Sequence, residues 1–194
     1  MSFFVTSKGG PKGGDFGGLD GADMFCKSLA TAVSPALGAK LWRAYLSTST
    51  ENARDRIGTG PWRNQAGRVI ANNVDDLHSQ AKADGALNAT WPIADLAVAL
   101  DEKGAQVMNE VHDILTGTGE GGKAVPDMTC NDWTSSAGTD QGQVGHSNRD
   151  GGGKAPSWTT THAVGCAPSA QNRQAGTVTQ GGGRGSIYCF AKGG

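Results

Sequence analysis

Thr129-Cys130-Asn131-Asp132-Trp133-Thr134-Ser135 sets a cysteine and a tryptophan in a stretch of otherwise small polar residues. From Gly117 onward the chain is mostly Gly, Ser, Thr, Asn and Asp with isolated Trp and Cys. No apolar stripe there is long enough for a helix, so short strands joined by long loops are expected. A Trp beside a Cys in such surroundings reads as a core anchor, because its large apolar area has to be buried somewhere in a loop-rich segment.

Working outward, the glycines divide the chain. Of 194 residues, 31 are Gly and 7 are Pro, about one in five, which argues against a helical bundle or a coiled coil. Only six of those glycines fall between Asp23 and Thr116, so regular structure should concentrate in that middle. Hydrophobic residues make up 37% and charged residues 18%, yet five Trp and five Phe supply anchors for a core. At 19.8 kDa the chain suits one domain over 1–194, with a loop-rich segment at 117–185. A formal charge of -1 gives no reason to expect nucleic acid or an anionic membrane as partner.

Asp20 is a suitable N-cap for a helix from about Gly21 to Ala32, with Asp23 in the first turn and Met24, Phe25, Leu29 and Val33 as its apolar stripe. Lys40 to Ser47 alternates as a strand, and Thr48 with Glu51 forms a capping box for a short helix through about Ile57. Ala94–Leu100 and Ala105–Leu115 have helical composition, but Gly104 interrupts them and Val111–Thr116 equally suits a strand. Phe3–Thr6 and Ser186–Phe190 are terminal apolar runs able to pair as neighbouring strands.

Cys26, Cys130, Cys166 and Cys189 contain no C-x-x-C pair, so a zinc ribbon or thioredoxin motif lacks its geometric requirement and two disulfides are the simpler account. Three connectivities are open. Disulfides persist in oxidising compartments, which places the protein as secreted, periplasmic or at the cell surface. The opening Met1-Ser-Phe-Phe-Val has neither a basic n-region nor an apolar run of signal-peptide length, so the sequence is expected to represent a mature form. The longest apolar stretch, Ile93–Leu100, contains Asp95, and no membrane span is expected.

Several motifs point towards chemistry without completing it. Gly117–Ala124 meets the first positions of a phosphate loop, but Ala124 replaces the magnesium-binding hydroxyl and Pro126 stops the helix the loop must open. His146-Ser-Asn148-Arg149-Asp150-Gly151 echoes a calcium loop without the acidic first ligand, so the calcium site in view is an irregular one drawing on Asp140, Asn148 or Asp150. His78, His112, His146 and His162 stand singly and are expected to face solvent or to be satisfied in the core. Arg43, Arg54, Arg56, Arg63 and Arg68 form a cluster able to take sulfate or carboxylate groups bidentately, although Glu51 and Asp55 lie among them as structural partners. Asn88-Ala89-Thr90 is a glycosylation sequon.

The ordered set Phe4-Val-Thr-Ser7, Gly17-Gly-Leu-Asp-Gly-Ala-Asp23 with Cys26, Arg43-Ala-Tyr-Leu-Ser47 with Arg56, Leu115-Thr-Gly-Thr118, Thr129–Ser135, Ser157-Trp158, Cys166-Ala167 and Ile187-Tyr-Cys-Phe190 resembles a bacterial secreted domain that is itself similar to collagen endostatin and has a C-type-lectin-like fold. The resemblance runs along nearly the whole chain. It implies an α+β domain of short helices around a mostly antiparallel sheet with long loops. It also implies nested disulfides, Cys26 with Cys189 and Cys130 with Cys166, paired terminal strands, and Trp133 and Trp158 in the core. Calcium-dependent lectins of this fold use an E-P-N or Q-P-D loop followed by W-N-D. The reversed Asn131-Asp132-Trp133 does not carry that mode over.

The function expected is therefore a non-enzymatic, extracytoplasmic binding module for a glycan, a polysaccharide or a surface or matrix protein. Its contact region is the long loop between Cys130 and Cys166, with Asp140, His146, Asn148, Arg149 and Asp150 as ligand-binding residues. Two rivals stand beside it. One is a hydrolase assembled from His146, Asp150 and Asp132, and the other is a disulfide-stapled component of a surface layer or appendage.

Overall fold

The computed structural model describes residues 1–79, 98–148 and 157–193. The strands are β1 (Phe3–Val5), β2 (Trp42–Ala44), β3 (Trp62–Arg63), β4 (Val69–Ala71), β5 (Asp113–Leu115), β6 (Gln141–His146), β7 (His162–Gly165) and β8 (Gly183–Ala191). The helices are α1 (Gly18–Val33), α2 (Pro35–Gly38), α3 (Ala53–Arg56), α4 (Val74–His78) and the single turn α5 (Cys130–Trp133). The class is α+β. No helix among the described residues is long and apolar enough to cross a membrane.

β8 organises the main sheet. β1 and β2 both lie antiparallel to it, β5 lies parallel to it, and β6 and β7 continue the sheet beyond β5, while β3 and β4 form a separate hairpin. The terminal strands pair as their apolar runs suggest, with Phe3 opposite Phe190 and Val5 opposite Tyr188. Successive side chains of a strand point to opposite faces, and β8 is apolar on both. Tyr188 and Phe190 enter one core with Phe3, Tyr45, Trp62 and Trp158. Ile187 and Cys189 enter the other with Phe4, Cys26, Trp42 and Trp133. Both anchoring tryptophans, Trp133 and Trp158, are fully buried.

The disulfides are nested, Cys26–Cys189 and Cys130–Cys166, each with 5.7 Å between Cα atoms. The first fixes α1 to β8; the second fixes α5 to the end of β7.

Helix α1 begins earlier than the expected Gly21. Asp15 accepts a hydrogen bond from the Gly17 amide at 2.9 Å, and Gly17, at φ 79°, turns the chain into the helix with no side-chain cap. Of the expected stripe Leu29 is buried and Phe25 packs partly buried against the core, whereas Met24 is 70% exposed; Ala22, Cys26 and Ala30 complete the buried face. Small residues let α1 lie close to the sheet. Thr48 caps the turn after β2 by accepting from the Glu51 amide at 3.0 Å, and α3 follows only from Ala53. Within 105–115 the strand alternative holds, since Asp113–Leu115 pairs with both β6 and β8 after a single 3-10 turn at Asn109–Val111. Of the expected helix Ala94–Leu100, residues 98–100 are described and are not helical, Leu100 bridging to Gln106. The phosphate-loop mimic is a turn closed by the Thr118–Ala124 bridge, with a 3-10 turn at Glu120–Gly122.

Candidate functional site

An open cleft of about 700 Å³ lies beside α5, lined by Ser49, Asn131, Asp132, Thr139, Asp140 and Gln141 together with the Ala124–Thr129 segment. Its volume is in the range of small-ligand sites. Its floor is unusual backbone. Cys130, Asn131, Asp132 and Trp133 have φ of 49°, 53°, 54° and 65°, four successive non-glycine residues in the left-handed region, each costing on the order of 1–2 kcal/mol.

That turn persists because its surroundings fix it. The Cys130–Cys166 bond holds one end, and Trp133 Nε1 donates to the Ser47 carbonyl at 2.7 Å at the other. Thr129 Oγ1 accepts from the Asp132 amide at 3.1 Å and donates back to its carboxylate at 3.0 Å. Asp132 Oδ1 and Oδ2 also accept from the Ser49 amide at 2.8 Å and hydroxyl at 2.6 Å. Burial would raise the Asp132 carboxyl, but the Ser49 and Thr129 donors outweigh it and hold the group below its ordinary range.

At the far end of β6 a second constellation forms. Register sets Asp113 opposite His146, and Val144 opposite His162, so His112, Asp113, His146 and His162 converge from three strands. Asp113 Oδ1 stands 3.1 Å from His146 Nε2, 3.4 Å from His112 Nε2 and 3.4 Å from His162 Nε2. Asp113 is fully buried, and among the described residues neither of its oxygens receives a well-angled hydrogen bond. The His162 side chain, 36% exposed, forms the solvent edge. Burial would raise the Asp113 carboxyl, yet His146 and His162 facing it hold it well below the usual carboxylate range. The Asp113 carboxylate in turn raises the pKa of His162 against the opposing effect of burial. The ligand atoms of His112, Asp113 and His146 lie within 4.8 Å of one another, and two imidazoles with a carboxylate are a donor set suited to a transition-metal ion.

The expectation of isolated histidines is thus corrected for three of the four. Asp113 was not singled out at all. Metal-type spacing within one helix or loop is absent, because antiparallel pairing across β5, β6 and β7 makes the cluster; the adjacent His112-Asp113 pair is its only local sign. His78, the fourth histidine, fits the core expectation: its Nδ1 donates to the Val74 carbonyl and its Nε2 accepts from the Tyr45 hydroxyl, both at 2.7 Å.

The other expected site residues are dispersed. Asp140 lines the cleft, whereas His146 at the opposite end of β6 and Asn148 just beyond it are buried. A six-residue strand is roughly 20 Å long, so Asp140 and Asn148 do not share one calcium ion. Arg149 and Asp150 lie outside the described residues, as do the sequon and most of Ala94–Leu100. Asp132 and His146 belong to different ends of β6 and have different partners, which separates two of the three residues of the hydrolase reading.

The arginines have different surroundings. Arg56 is buried, bidentate to Asp23 at 3.0 Å on both nitrogens, and Arg43 joins the same carboxylate at 2.8 Å. Arg54 binds Asp75 at 3.0 Å and the Gly121 carbonyl at 2.7 Å. Arg63 donates to the Gly67 carbonyl at 3.1 Å, and Arg68 is exposed. Acidic neighbours engage the guanidinium groups of Arg43, Arg54 and Arg56 as structural partners.

Among curated proteins none matches this chain. Residues 10–150, spanning α1 through β6 and so both the cleft and all but one member of the histidine cluster, match the model of a family described as protein of unknown function (DUF1554), and the chain belongs to that family.

Proposed function

We propose that the protein is an extracytoplasmic, non-enzymatic binding module that takes a glycan, or the glycan-like polar surface of a surface or matrix protein, into the cleft beside α5. The observation that carries this reading is the run of left-handed residues Cys130–Trp133, held by a disulfide, a buried indole and the Asp132 carboxylate at the floor of a ligand-sized cleft. Backbone strain maintained by so many restraints is a feature of binding and catalytic positions. The groups around it, hydroxyls of Ser49 and Thr139, the amides of Asn131 and Gln141 and the carboxylates of Asp132 and Asp140, offer paired donors and acceptors suited to sugar hydroxyls.

Two disulfides support an oxidising compartment, whether secreted, periplasmic or at the cell surface. The endostatin-like, C-type-lectin-like identity is proposed on the same footing. Nested disulfides and terminal strands joined in one sheet agree with it. The contact region is thereby shifted from the middle of the Cys130–Cys166 loop to its beginning.

A glycan array and a panel of immobilised matrix proteins test the reading. Binding is expected for the native chain and is expected to weaken roughly tenfold, about 1.4 kcal/mol, in Gln141→Ala or Asp140→Ala. Absence of binding on both panels by protein with both disulfides intact would overturn it.

A further inference from the structure

The second constellation has a geometry of its own. Four atoms bound to a tetrahedral Zn²⁺ at about 2.0–2.1 Å lie roughly 3.3–3.4 Å from one another. Asp113 Oδ1 stands 3.1 Å from His146 Nε2 and 3.4 Å from His112 Nε2, close to the edges of that tetrahedron. The ligand atoms of His112, Asp113 and His146 also lie within 4.8 Å of one another.

Three further features fit an ion there. His162 Nε2 lies 3.4 Å from Asp113 Oδ1 and its Nδ1 3.2 Å from the Ala163 carbonyl, so the ring is held against the carboxylate as an outer partner that positions a ligand. Next, both Asp113 carboxylate oxygens are buried without a well-angled hydrogen-bond donor among the described residues, which leaves them free to take an ion. Finally, the Gly181-Gly182-Gly183 run closes over the cluster. A Cβ at Gly181 would sit 2.1 Å from Asp113 Oδ2 and 2.2 Å from His162 Cε1, so the covering loop has to be side-chain-free at that point.

We propose that His112, Asp113 and His146 bind one Zn²⁺ ion, joining β5 to β6 beneath the Gly181–Gly183 loop. His162, at the solvent edge, faces the Asp113 carboxylate and positions it. Three protein ligands leave one position of a tetrahedral ion open. The proposal is independent of the cleft reading, because the two sites lie at opposite ends of β6.

The test uses the full chain without an affinity tag, dialysed against EDTA and then against buffer. Calorimetric titration with Zn²⁺ is expected to show one site, with a rise in unfolding temperature on loading. Co²⁺ is expected to give the intense visible absorption of a tetrahedral centre. His112→Ala is expected to weaken binding roughly tenfold or more and to abolish that spectrum. Asp113→Asn is expected to do the same, whereas Asp140→Ala in the cleft leaves Zn²⁺ binding unchanged. Failure to take up Zn²⁺ would overturn the proposal in favour of a histidine–carboxylate cluster charged by protons alone. Uptake that survives in both His112→Ala and Asp113→Asn would overturn it by placing the ion elsewhere.

Discussion

Asp23 carries an unusual share of the contacts that join α1 to the rest of the molecule. Its two oxygens accept from the Ala44 amide at 2.7 Å, from Arg43 at 2.8 Å and from both terminal nitrogens of Arg56 at 3.0 Å, and both Asp23 and Arg56 are buried. Removing one partner of a buried, hydrogen-bonded pair leaves the other charge without compensation. Asp23→Ala is therefore expected to cost about 3–5 kcal/mol in urea unfolding, and an effect below about 1 kcal/mol would contradict this account. The sequence reading placed Asp23 in the first turn of a helix, where a dipole effect of about 0.3–1 kcal/mol was its whole role. Its partners lie on β2 and α3, and neither arginine announces such a pairing locally. His112, His146 and His162 show the same limit. Nothing within their own segments distinguishes a metal-type cluster from separate core histidines.

Among the elements, those with strong local signals were legible. The terminal strands, a helix around Cys26 and a strand at Val111–Thr116 all follow from apolar spacing, although the last needed the pairing with β6 and β8 to separate it from a helix. The face of α1 is legible only in part, since Leu29 is buried as expected while close packing on the sheet favours the small Ala22, Cys26 and Ala30 over Met24. Glycines in β6 follow a similar rule that spacing alone does not reveal. A Cβ at Gly145 would lie 1.9 Å from the Trp158 carbonyl oxygen and 2.2 Å from its carbon, so backbone rather than a flexible side chain would have to move. Gly145→Ala is expected to destabilise the protein by about 1–3 kcal/mol, measured by chemical unfolding.

For the whole molecule, the nested disulfides set the scale of stability. In the chain-entropy description, the bridge of sequence separation 36 contributes about 4 kcal/mol and that of separation 163 about 5 kcal/mol, the latter less when the inner loop is already closed. Paired alanine replacements at Cys130/Cys166 and at Cys26/Cys189 should each lower guanidinium stability by amounts of this order, with the outer pair costing at least as much as the inner. Equal stability with both outer cysteines removed would contradict the entropic account. Strand β8 adds a consequence concerning order in time. Among the described residues β1 and β2 find their strand partner in Gly183–Ala191, far along the chain from both. A polypeptide synthesised from its N-terminus therefore carries Phe3, Phe4 and Trp42 without their sheet until β8 has emerged, and these apolar segments wait unpaired for as long as β8 is withheld.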